Sequence, residues 1–185
     1  HILKAKKLQI IGRAGVGTDN IDIESATSNG IIVMNVPDGN TISAAEHTMA
    51  MISALSRNIQ LGHMGLMNGS WDRHKLVGNE LRGKILGVVG LGKIGREVIK
   101  RALSFDMNIL GFDPYVSQEH FDESEIKIVS LDELTEKSDF ITLHVPLNDA
   151  TKDLFDLDRM KKMKKNSKII NVARGGIINE EDLAK

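Results

Sequence analysis

Cysteine is absent from the 185 residues, which excludes disulfides and thiolate metal sites at once. Neither sign of charge is in excess: 24 basic residues stand against 25 acidic ones. That balance argues against a surface dedicated to nucleic acid or to an anionic membrane. No apolar run approaches the roughly 18 residues that a membrane span needs, and the first residues lack a signal-peptide layout. There is no internal repeat and no low-complexity tract. These absences fit a soluble cytoplasmic protein, and the length suffices to bury a sizeable core.

What is present begins with Gly90-Leu91-Gly92-Lys93-Ile94-Gly95, followed by Asp113. A glycine-rich turn alone is a weak signal, but this one has a full context. The apolar run Lys84–Val89 reads as a buried parallel strand entering the glycines. Ile94, Val98, Ile99, Ala102 and Leu103 then share one face of a helix. Asn108–Phe112 reads as a second strand that delivers Asp113 at its end. Gly90 permits the tight turn, Gly92 lets the backbone approach a pyrophosphate, and Gly95 lets the helix pack close to the strand. The helix N-terminus favours an anion through its unpaired N–H groups and its dipole. Asp113 accepts from ribose hydroxyls and repels a 2′-phosphate, which selects NAD over NADP.

Elsewhere the chain alternates strands and helices. Leu8–Gly12 is a strand, Asp22–Asn29 a helix stopped by Gly30, and Ile31–Asn35 a strand. Pro37-Asp38-Gly39-Asn40 marks a break, so residues 1–35 and 36–185 are expected to be separate domains. Thr41–Met67 reads as one long helix, weakened by Gly62 and Gly65. Its methionines Met49, Met51, Met64 and Met67 are read as packing residues. Helices over Leu131–Lys137 and Leu157–Met163 alternate with strands over Phe140–Leu143 and Lys168–Val172. This pattern predicts an α/β fold with a doubly wound parallel sheet covered on both faces. Both ends read as cut. Asn179 is a plausible N-cap to a helix that begins with Glu180 and Glu181.

Further residues carry candidate chemistry. Arg174 follows a buried strand and is flanked by Gly175 and Gly176, so it is a candidate carboxylate clamp. The alternative is a surface arginine paired with Glu180 or Glu181. His144-Val145-Pro146-Leu147 ends another strand at the same crevice. For His144 a structural role or a backbone contact is favoured over that of a base. In Arg13-Ala14-Gly15-Val16-Gly17 the glycines free backbone N–H groups for an anion, or simply end a strand. Arg159, Lys161, Lys162, Lys164, Lys165 and Lys168 form a basic run, read as a solvated helix face.

Six segments together resemble the NAD-dependent D-2-hydroxyacid dehydrogenases: GRAGVGTDNID (12–22), NVPDGNTISAAEHT (35–48), GVVGLGKIGREV (87–98), GFDPY (111–115), LHVPL (143–147) and NVARGG (171–176). The resemblance implies a Rossmann NAD-binding domain and, in residues 1–35, the C-terminal part of a flavodoxin-like substrate domain. It implies that Arg174 holds the substrate carboxylate and C2 oxygen. Lys93 and Ile94 would meet the pyrophosphate, and Asp113 the ribose. Val145, Pro146, Val172 and Ala173 would contact the cofactor. Val16 and Gly17 would lie near the substrate, with Arg13 on its phosphate. The implied substrate is a phosphorylated 2-hydroxy acid and the implied assembly a homodimer or homotetramer, with the long helix and Trp71 at the contact. The implied reaction is hydride transfer between the hydroxy acid and nicotinamide. Its His/Glu pair follows NVARGG in the family, so residues 1–185 are expected to bind NAD without turnover. A sibling enzyme acting on glyoxylate or hydroxypyruvate, and a non-catalytic NAD-responsive binding protein, stay open as alternatives.

Overall fold

Strand β3 (Ile85–Val89) is sealed from Leu86 onward, as a central strand of a parallel sheet must be when helices cover both of its faces. The computed structural model describes residues 2–185. They divide into two units, one ending at Thr41 and the other spanning Ile42–Lys185.

In the larger unit β3 is joined by β4 (Asn108–Phe112), β5 (Lys127–Ile128), β6 (Phe140–Leu143) and β7 (Lys168–Asn171). All pair in parallel, in the order β5-β4-β3-β6-β7. The order reverses between β3 and β6, and in open sheets of this kind a ligand crevice lies outside the strand ends at that point. The register sets Val89 beside Phe112 on one side and Leu143 on the other. The residues that follow these three strands therefore leave the sheet at one level.

Period-two alternation sorts the strand side chains between the faces. Leu86, Val88, Ile109 and Phe140 face helix α4 (Lys93–Leu103), which presents Gly95, Val98, Ile99 and Ala102 at helical spacing. Val89, Ile141 and Leu143 meet Leu134 of α5 (Leu131–Lys137) on the other face. Full burial of such a side chain contributes about 1.5–3 kcal/mol. Ser130 starts α5, its hydroxyl accepting from the Glu133 N–H at 3.2 Å. Asp139 ties β3 to β6: its Oδ2 accepts from the Ile85 N–H at 2.8 Å and its Oδ1 from Lys164 Nζ at 2.9 Å. Burial pushes this carboxyl up, but the Ile85 N–H, Lys164 and the field of Lys84 outweigh it and hold it below the usual carboxylate range.

In the smaller unit β1 (Ile10–Gly12) and β2 (Ile32–Met34) pair in parallel, connected through α1 (Ile23–Ser28). Asp22 caps α1, accepting from the Ser25 N–H at 2.8 Å. Gly30 follows at φ +69°.

The structure departs from expectation at one long element. Thr41–Met67 is not one helix but two, α2 (Thr41–Ser56) and α3 (Ile59–Met67). Asn58 between them adopts φ 54° and donates from Nδ2 to the Val77 carbonyl at 3.0 Å. The Ser56 carbonyl accepts from the Asn79 N–H at 2.8 Å. A distant loop thus takes the Ser56 carbonyl, which would have continued the helix, and holds the Asn58 side chain. Of its methionines only Met49 is buried, and Met51, Met64 and Met67 are exposed. The helix expected over Leu157–Met163 shortens to α6 (Leu157–Met160), and β5 had no counterpart in the sequence pattern. Asn179 does cap α7 (Glu180–Leu183), its Oδ1 accepting from the Asp182 N–H at 3.0 Å.

Candidate functional site

Gly90 leaves β3 at φ +95°, and a Cβ there would stand 2.7 Å from the His144 carbonyl oxygen. Conformation and space both demand glycine. Its N–H donates to the Phe112 carbonyl at 2.8 Å. The next residue is held at both of its backbone polar groups. The Leu91 N–H donates to Asp113 Oδ2 at 2.9 Å, and the Leu91 carbonyl accepts from Arg96 Nε at 2.9 Å. The Arg96 guanidinium in turn lies 4.5 Å from the centroid of the Phe121 ring, within cation–π range.

Gly92 opens α4, and among the described residues nothing beyond its own chain neighbours and the adjoining helix backbone lies within 4 Å of where its Cβ would be. No side chain caps this helix and no acid stands in its first turn. Lys93 and Ile94 are its first residues, so their N–H groups belong to the end that attracts anions. Gly95 has the opposite surroundings: a Cβ would lie 2.1 Å from the Gly90 carbonyl oxygen.

Asp113 ends β4. Besides the Leu91 N–H on Oδ2, its Oδ1 accepts from the Tyr115 N–H at 3.0 Å. One backbone donor per oxygen fixes the carboxylate and leaves each oxygen a further acceptor position. After β6, the His144 N–H donates to the Val89 carbonyl at 2.7 Å, and Nε2 lies 3.0 Å from Thr142 Oγ1. Burial pushes the imidazole down to about 4, so it is neutral and weakly basic at neutral pH. Such a group suits packing better than proton abstraction. Val145 borders Gly90, and Pro146 carries the chain outward.

After β7, Val172, Ala173 and Arg174 are all half-buried. Asn171 shapes this turn: Oδ1 accepts from the Ala173 N–H at 3.1 Å and Nδ2 donates to the Arg174 carbonyl at 2.7 Å. Arg174 donates from Nη1 to the Ala173 carbonyl at 2.8 Å. Neither Asn171 nor Arg96 was singled out from the sequence. An asparagine at a strand end, able to bond its own backbone two residues on, was a signal available for the first. For Arg96 there was none, since its ring partner is brought to it by the fold.

In the smaller unit the loop after β1 is closed by its own bonds. The Gly15 N–H donates to the Arg13 carbonyl at 2.8 Å, and the Val36 N–H to the Gly15 carbonyl at 3.0 Å. Arg13 folds over this loop, donating from Nη1 to the Ala14 carbonyl at 3.3 Å. Asn35 Nδ2 donates to the Val16 carbonyl at 2.9 Å, and Gly17 follows, half-buried.

Gly90, Gly92, Lys93, Ile94, Gly95, Asp113, Val145, Pro146, Val172, Ala173 and Arg174 thus gather at the C-terminal ends of the adjacent strands β4, β3, β6 and β7. Arg13, Val16 and Gly17 belong to the other unit. An uncapped helix end with open space before it and a carboxylate placed for a diol fit an adenine dinucleotide. Among the described residues there is no cluster of metal-ligating side chains, and no helix is long and apolar enough to cross a membrane.

Comparison with known proteins agrees with this geometry. The family model of the D-isomer specific 2-hydroxyacid dehydrogenase NAD-binding domain matches residues 49–185. D-3-phosphoglycerate dehydrogenase of Methanocaldococcus jannaschii is 51% identical over 183 residues, covering 98% of this chain and 35% of that protein. The Bacillus subtilis protein of the same name is 48% identical, with 97% and 34% covered. The chain therefore spans about a third of the length of the curated relatives it matches. Among solved structures, NAD-dependent formate dehydrogenase from Staphylococcus aureus in complex with NAD superposes with a TM-score of 0.89 at 38% identity. It covers 98% of this chain and 54% of that one.

Proposed function

The chain belongs to the D-isomer specific 2-hydroxyacid dehydrogenases and carries their NAD-binding domain, and from that premise we propose that it is the cofactor-binding part of a D-3-phosphoglycerate dehydrogenase. The reaction is oxidation of 3-phospho-D-glycerate to 3-phosphohydroxypyruvate, which opens L-serine biosynthesis. Residues 1–35 are then the tail of the substrate-binding domain, and 36–185 most of the NAD-binding domain. The observation that carries this reading is the open space at Gly92, set beside the peptide that Asp113 holds. The choice of substrate rests on the 51% identity to a phosphoglycerate dehydrogenase over nearly the whole chain.

Bound NAD would supply the hydride acceptor. The chain's residues bind and orient. The N–H groups of Lys93 and Ile94 hold the pyrophosphate, and Gly92 leaves it room. Asp113 takes the ribose hydroxyls and repels a 2′-phosphate. Val145, Pro146, Val172 and Ala173 line the remaining length of the cofactor. Arg174 presents its fork to the substrate carboxylate and C2 oxygen. It stays charged at working pH, so it positions and polarises but does not take the proton. Arg13, with Val16 and Gly17, contacts the substrate, Arg13 at its phosphate.

The protein acts as a homodimer or homotetramer in the cytoplasm. Supporting assembly, α3 buries none of its own residues and leaves Leu61 and Met67 exposed, with Trp71 just beyond it.

The test is NADH oxidation by the full-length protein with 3-phosphohydroxypyruvate, glyoxylate and hydroxypyruvate, using NADPH as control. Preference for the phosphorylated keto acid with NADH is the expected outcome. Preference for an unphosphorylated acid transfers the chain to a sibling dehydrogenase. Tight NADH binding without turnover on any of them makes it a binding protein.

A further inference from the structure

The basic run from Arg159 to Lys168 separates into two groups in the fold. Arg159 and Lys162 pair with Asp132 at 2.7 and 3.0 Å, Lys161 with Asp158 at 3.8 Å, and Lys164 with Asp139 at 2.9 Å. Lys165 and Lys168 have no carboxylate partner among the described residues. Both line a cavity of about 260 Å³, where Lys84 joins them from the turn before β3. The cavity lies at the N-terminal ends of β3, β6 and β7, the opposite end of the sheet from the glycine turn.

Three further polar side chains line the same space. Asn79, Asn166 and Ser167 contribute amide and hydroxyl donors that bond to no described residue. The single acid in the wall, Asp139, is already engaged by the Ile85 N–H and by Lys164. Lys84, Lys165 and Lys168 therefore leave a surplus of positive charge. Lys168 is also fixed in place, with Nζ 5.2 Å from the centroid of the Phe140 ring. Ammonium groups that outnumber the one carboxylate and share a concave space with neutral donors are what a compact, multiply charged oxyanion requires.

We propose that this cavity is a second anion site, separate from the cofactor crevice, that takes a phosphate-class oxyanion. Its position behind the sheet means that it does not compete with the dinucleotide for the α4 N-terminus. Its ligands come from three segments that meet only in the folded state: Asn79–Lys84, Asp139–Phe140 and Lys165–Lys168.

The test is titration of the ¹⁵N-labelled chain with inorganic phosphate at constant ionic strength. Saturable shifts are expected at the amides of Ile85 and Asn166 to Lys168 and at the side-chain amides of Asn79 and Asn166. The double variant Lys84→Ala/Lys165→Ala should weaken binding about tenfold. Lys161→Ala/Lys162→Ala removes the same charge next door and should leave binding unchanged. Ser167→Ala, which alters no charge, should weaken it by about twofold to threefold. Equal weakening by the two double variants would mean diffuse attraction to a basic surface and would overturn the proposal. Shifts confined to the start of α4, or shifts that do not saturate, would overturn it as well.

Discussion

Gly92 and Gly95 stand one helical turn apart and respond differently to the same added methyl group. At Gly92 the space is open and φ is −72°, a value any L-residue adopts. Gly92→Ala should leave stability within about 0.5 kcal/mol while weakening NADH by about tenfold or more, because the methyl enters the space of the pyrophosphate. At Gly95 alanine would gain about 1 kcal/mol of helix propensity but press against the Gly90 carbonyl, and overpacking costs about 1–3 kcal/mol. Gly95→Ala should thus lower the urea midpoint and the NADH affinity together. Unchanged stability in that variant would disprove the tight packing. His144 gives a pH-dependent expectation. Its pKa falls from 6.5 to about 4 on folding because of burial. Between those values the unfolded chain takes up a proton that the folded chain refuses. Its contribution is therefore complete above pH 6.5 and is lost as pH falls toward 4, by up to about 3 kcal/mol. The stability difference between wild type and His144→Gln, from urea melts at pH 4 to 7.5, should shrink toward acid. A constant difference would contradict it. The glycines and Asp113 were readable in advance because their spacing follows from the shape of a dinucleotide. Asn171 was readable only from its residue type at a strand end, and Arg96 acts through a ring contact that the fold creates and no spacing announces.

At the scale of elements, β4, α5 and β6 occupy the residues their periodicity assigns. Each has one face or both in a core, so the pattern of apolar residues is also the pattern of contacts. The α2–α3 break shows the limit of that correspondence. Gly62 and Gly65 were the weak points of the sequence, yet the chain turns at Asn58. The turn is held by Val77 and Asn79, which no local window contains. Asn58→Val should cost about 1–2 kcal/mol for the left-handed backbone and about 1 kcal/mol for the lost bond to Val77. Asn58→Gly keeps the conformation and loses only the bond, so it should be the milder of the two in urea denaturation. The reverse order would show that the backbone conformation is not what sets the break. Strand β5 escaped notice for a simpler reason: two residues are too few to show a period.

At the scale of the whole molecule, apolar surface is unevenly placed. Leu61 is 58% exposed, Met67 74% and Trp71 71%, the apolar concentration on which the proposed self-association rests. Leu61→Asp should convert a dimer to a monomer by light scattering while leaving the circular dichroism spectrum unchanged. A wild-type chain already monomeric at micromolar concentration would remove α3 from the contact. The two units also differ in how much they enclose. The larger has two faces of packed side chains around β3. The smaller rests on the β1–β2 pair, whose Ile10, Ile32 and Met34 are exposed. Two paired strands make a marginal structure. In deuterated buffer, therefore, the amides of Ile11 and Val33 should exchange through local opening, long before those of Val88 and Ile141, which wait for global unfolding. A brief exposure to protease should likewise cut within the first 41 residues and leave a resistant core beginning near Ile42.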